Sequence, residues 1–147
     1  MKNILVAIDS FEATTTMSPL IEKTIELANA FASRVWVLHV VPQSGPPPYN
    51  VDKKIFRAEL AHELHDEHEY LQLFSNCLRE RDIESTSLLV EGPTIKTILY
   101  ESDRLNVDLI ILGCHKHSEL FGALMNDTDE GLLARCTRPI MFVPTSE

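Results

Sequence analysis

The stretch GCHKHSELFGALMNDTDEG, residues 113–131, directly follows the apolar run VDLIILG and concentrates the groups that could meet an anion. A glycine leaving a buried strand lets successive backbone N–H groups approach a phosphate without a Cβ in the way. A helix beginning just beyond it would aim unpaired N–H groups and a partial positive charge at the same point. The side chains here oppose that use. Asp127, with Glu130 three residues later, has a variant of the capping-box spacing, so a built-in carboxylate would occupy the donors a phosphate needs. It would also repel the phosphate: two like unit charges at ~4 Å cost several kcal/mol at an effective dielectric of about 20. Asp129 and Glu130 add to that field, and only Lys116 offers a compensating point charge.

Other reactive residues fall into weaker patterns. HELHDEHE sets His62, His65 and His68 at i, i+3, i+6. Three residues so spaced wind around a helix by roughly 120° and do not converge on one ion, so they read as a solvated face. HExxH is absent, since position 66 is Asp. His115 and His117 beside Cys114 suit adventitious metal binding more than a built site. NDTDEG lacks calcium-loop spacing and its closing Glu. No G-x-S-x-G elbow and no Cys–His pair with a supporting acid is present, so the sequence points to no hydrolytic catalysis. Gly113, Gly122 and Gly131 recur at equal intervals, which reads as coincidence.

The elements that must position these residues alternate along the chain. NILVAID (3–9) is a short apolar run of the kind found in a strand covered on both faces. SPLIEKTIELANAFA (18–32) has helical spacing with Pro19 suited to a first turn. RVWVLHVV (34–41) reads as a second strand, and PQSGPPPYN (42–50) as a surface loop, because its prolines remove donors and fix φ. A long helix is expected over 53–81, carrying Ile55, Phe56, Leu60, Leu64, Leu71, Phe74 and Leu78 on one side. TSLLVEG (86–92), VDLIILG (107–113) and RPIMFVP (138–144) read as strands, with helices over 94–105 and near 128–136.

Strands separated by such helices require right-handed crossovers and a parallel sheet with helices on both faces. The α/β class follows: one doubly wound domain over 1–147, five parallel strands in the order 3-2-1-4-5. Ligands in such sheets sit at the carboxyl ends of the strands where the order reverses, which would bring Asp9 and Gly113 to one crevice.

Composition excludes several partners. The chain has 147 residues, is 44% hydrophobic and carries a net charge of −9 with no Lys/Arg run. A phosphate-tracking surface needs clustered cations, so nucleic acid and anionic membranes are not expected partners. Three widely spaced cysteines without a CxxC suggest free thiols in a reducing compartment. Asp9 interrupts the first apolar run too soon for a signal peptide or membrane span, and a cytoplasmic location is expected.

ILVAID, VLHVV, VEGPTIKTILYESDRLNVDLIILGCHKH and RPIMFVP, in this order and spacing, resemble the universal stress protein family over nearly the whole chain. The resemblance implies an adenine nucleotide alpha hydrolase-like fold, a cytoplasmic role in stress survival and a homodimer built by pairing last strands. Some members bind ATP through a motif G-x2-G-x9-G-[S/T], and others lack it. Gly113 matches the first position; Lys116, Asn126 and Asp127 occupy the other three. Asp9 matches an acidic residue near the family's adenosine pocket, and Val40 a position whose backbone contacts adenine. Both also read as a strand-end turn residue and a core residue, respectively.

The favoured expectation is a non-enzymatic homodimer acting through protein partners, with no cofactor, its last strand pairing through Ile140, Met141, Phe142 and Val143. An unpaired apolar edge strand is a template that pairing with a twin would cover. The alternative is an ATP- or AMP-binding switch that keeps Asp9, Val40 and Gly113 and uses Lys116 for phosphate; slow ATP hydrolysis is expected only under this alternative.

Overall fold

A computed structural model describes residues 1–8, 18–41, 52–114, 122 and 131–144. Its elements run β1 (Asn3–Ile8), α1 (Pro19–Phe31), β2 (Arg34–Val41), α2 (Lys53–Arg79), β3 (Ser85–Glu91), α3 (Thr94–Arg104), β4 (Leu109–Cys114), α4 (Leu132–Arg135) and β5 (Ile140–Pro144). All strand pairs are parallel, in the order β3-β2-β1-β4-β5. This is the doubly wound parallel sheet that the alternation predicts, and it agrees with the fold that the family resemblance implies.

Both faces of the sheet are covered, which is why β1 is apolar at nearly every position. Ile4, Val6 and Ile8 point to one face, where Leu20, Ile21 and Ala28 of α1 and Leu71, Phe74 and Leu78 of α2 pack. Leu5 and Ala7 point to the other, meeting Ile98 of α3 and Leu132 of α4. Period-two alternation along the strands thus sorts one apolar run into two cores.

Local signals set the helix ends. Ser18 caps α1 through its hydroxyl oxygen, which accepts from the Ile21 amide at 3.3 Å, and Pro19 occupies the first turn. Asp52 caps α2 by accepting from the Lys54 amide at 2.8 Å. Between β3 and α3, Gly92 has φ +156°, and a Cβ there would lie 2.8 Å from Thr97 Oγ1. The turn into α3 therefore needs glycine on both conformational and steric grounds.

Two details depart from the plain sequence pattern. Ile55, on the apolar side of α2, is 56% exposed. A 27-residue helix runs to about 40 Å, whereas strands of seven or eight residues span roughly 25 Å, so the first turns of α2 overrun the sheet. The side chains of Phe56, Leu60 and Leu64 lie outside the described residues. The fourth strand starts at Leu109 rather than Val107, because the Asp108 carboxylate is already engaged with the amides of Lys2 at 2.7 Å and Asn3 at 3.0 Å. That contact clamps the entry of β4 to the entry of β1.

Candidate functional site

The carboxyl ends of β1 and β4 stand side by side, with Ile8 in register with Gly113. This is the reversal in strand order where a ligand would sit. Of the residues expected there, Asp9, Lys116, Asn126 and Asp127 lie outside the described residues; Val40 and Gly113 do not.

Gly113 is buried, and its α1-facing side is filled. A Cβ at this position would lie 2.3 Å from Leu20 Cδ2 and 3.0 Å from Leu20 Cγ. Leu20 itself is almost wholly buried in the core beneath α1. The missing side chain therefore makes room for the first turn of α1, and any phosphate role for this glycine has to coexist with that packing.

Val40 does not join Gly113 on that face. Its side chain packs with Leu38 into the core under α3, whereas Leu20 covers Gly113 on the α1 side. The two strands are also separated by β1, which puts about 10 Å between them. Any common ligand would have to use the backbone of Val40 and not its side chain.

The structure adds a residue that the motif reasoning passed over. His39, 4% exposed, lies on β2 in register with Ile8, and its Nδ1 is 2.8 Å from the Ile8 carbonyl oxygen. A carbonyl only accepts, so Nδ1 carries the proton and donates. The bond ties the last residue of β1 to β2, one position before Asp9. A histidine within the otherwise apolar VWVLHVV was the signal that could have revealed it.

Two amides at the start of α1 are already engaged. The Ser18 hydroxyl takes the Ile21 amide, and the Ser18 carbonyl takes the Glu22 amide at 3.0 Å. Glu22 adds a carboxylate to that first turn. Both features lower the capacity of this helix end to hold an anion.

At the opposite rim, beside the amino ends of the strands, lies a cavity of about 470 Å³ lined by Lys2, Asn29, Arg34, Asp82 and Glu84 among others. Its charges offset one another, with Arg34 Nη1 3.5 Å from Glu84 Oε1, and it is remote from the strand ends where this fold binds ligands. Among the described residues no cluster of His, Cys, Asp and Glu could hold a metal ion. His65 and His68 are exposed, and His65 Nε2 lies 3.2 Å from Glu69 Oε1. No described helix is long and apolar enough to cross a membrane.

A model of the universal stress protein family matches residues 1–144. The chain belongs to the universal stress protein family. That membership places it among stress-response proteins. Similar solved structures include a universal stress protein family member from Burkholderia pseudomallei, 19% identical with TM-score 0.67, covering 97% of this chain and 96% of that one. The universal stress protein from Archaeoglobus fulgidus in complex with dAMP is also 19% identical, with TM-score 0.62 and 97% of each chain covered. A universal stress protein in complex with cAMP is 13% identical, with TM-score 0.62, covering 99% of this chain and 98% of that one. At these identities the likeness bears on the fold. No curated protein matches the sequence.

Proposed function

We propose that this universal stress protein works as a cytoplasmic, non-enzymatic homodimer that acts through protein partners and holds no ATP. The observation that supports this reading is the side chain of Leu20 in the space beside Gly113, which gives the one retained motif glycine a packing role. With Lys116, Asn126 and Asp127 at the remaining motif positions, the loop offers side chains where a phosphate cradle needs bare backbone. Dimerisation is proposed through β5, an edge strand whose Ile140, Met141 and Phe142 are only partly buried within one chain.

Calorimetric titration of the purified protein with ATP and Mg²⁺ tests the central point. No binding at micromolar nucleotide is the expected outcome. Micromolar binding that is lost on Asp9→Ala would overturn the reading.

A second reading has support of its own: two structurally similar proteins were solved with dAMP and cAMP. Under it, the crevice between β1 and β4 holds an adenine nucleotide through Asp9, the Val40 backbone and Gly113, with Lys116 at the phosphate. Heat-released extract absorbing as adenine would favour this alternative.

A further inference from the structure

Among the described residues the sheet has a second edge, β3. Parallel pairing directs alternate backbone groups of β3 toward β2: the Glu84 carbonyl accepts from Val35, and the Gly92 amide donates to Val41, both at 2.9 Å. The groups of Ser85, Ser87 and Leu89 therefore face outward. From Ser85 to Val90 the strand carries no charge and no proline, the two features that commonly blunt an edge. Its ladder to β2 is regular, without a bulge. Such an edge is self-complementary. Two copies related by a two-fold axis would set Ser87 opposite Ser87 and Ser85 opposite Leu89, with two backbone bonds at each pair.

One side chain stands in the way. Arg79, in the last turn of α2, donates from both Nε at 3.1 Å and Nη2 at 2.7 Å to the outward carbonyl of Ser85. The geometry is fixed from behind, since Ser75 Oγ of the same helix bonds Ser85 Oγ at 2.8 Å and Gln72 Nε2 bonds Ser87 Oγ at 3.0 Å. A planar guanidinium with two donors on one carbonyl takes both the acceptor and the space that an incoming strand needs. It also puts a positive charge on the edge, where a second copy would bring another.

We infer that Arg79 is an edge guard: it keeps β3 from pairing with β3 of a second copy of this chain. The inference stands whether or not β5 forms the proposed dimer, because the readout is mass relative to the wild type. Arg79→Ala is expected to raise the light-scattering mass above the wild-type value as concentration increases, while the wild-type mass stays constant. The rise is to twice that value if the wild type is a single chain and beyond it if β5 already pairs two chains. Arg79→Lys, which keeps a charge but loses the double donor, is expected to show a smaller rise. Adding Ser87→Pro to Arg79→Ala should restore the wild-type mass, since the Ser87 amide points outward and its loss costs no bond to β2. If Arg79 serves only to hold α2 on the sheet, the variants melt lower and their masses do not change. That result, in folded Arg79→Ala or Arg79→Lys, would overturn the inference.

Discussion

His39 Nδ1 donates to the Ile8 carbonyl across the β1–β2 pair at 2.8 Å, inside the sheet and one residue short of Asp9. The bond ties the last residue of β1 to β2 through a side chain as well as through the ladder. Replacing His39 with Leu keeps apolar volume but leaves the Ile8 carbonyl without this donor in a buried position. A buried acceptor stripped of its partner costs about 1–3 kcal/mol. Urea denaturation should register that loss, and a variant as stable as the wild type would show that the carbonyl finds another donor.

Gly113 and Leu20 give a second test, in which packing and ligand chemistry predict different results. Gly113→Ala puts a methyl group 2.3 Å from Leu20 Cδ2, and over-packing of a core costs about 1–3 kcal/mol. Leu20→Ala alone opens a cavity, at roughly 2–5 kcal/mol. In the double variant the new methyl group occupies part of that cavity, so the combined loss should fall short of the sum by about 1 kcal/mol or more. Strict additivity in a chemical-denaturation cycle, with no nucleotide present, would remove the packing explanation for this glycine.

These two residues also show what a sequence discloses and what it withholds. NILVAI, RVWVLHVV and LIILG are legible as strands because a sheet covered on both faces needs apolar side chains at nearly every position. The strand order follows from helical crossovers of one hand. The contact that gives Gly113 its structural role comes from Leu20, far away in the chain, and no local pattern announces it. The same holds for Asp108, whose partners Lys2 and Asn3 lie at the other end of the sequence. Ile55 stays exposed for a geometric reason: its spacing fits the apolar helix face, but the sheet beneath that turn has already ended.

Asp108 predicts an acid dependence. Amide donation from Asn3 and then from Lys2 stabilises the carboxylate and holds its pKa below the ordinary value of 3.8. A folded-state pKa that is depressed contributes stability above the unfolded value, and that contribution disappears as pH falls through the folded value. Asp108→Asn keeps a carbonyl oxygen but removes the charge. The stability gap between wild type and variant should hold steady at neutral pH and close below about pH 4. A gap of unchanged size at pH 3 would mean that the charge of Asp108 adds nothing to the clamp.

The β5 edge carries the last prediction. The Pro139 carbonyl accepts from the Ile110 amide at 3.0 Å, which sets the alternation so that the backbone groups of Ile140 face away from β4. Arg138 anchors the start of this strand from within its own chain, donating from Nε to the Val107 carbonyl at 2.8 Å and pairing with Asp103. The edge is thus ordered before any partner arrives. Ile140→Lys puts a charge at the start of the proposed dimer seam, while the lysine stem can still lie along the half-buried site. One chain weighs 16.6 kDa, so the wild type should scatter as about twice that and the variant as a single chain. Equal masses for the two, with the variant folded, would move the dimer seam away from β5.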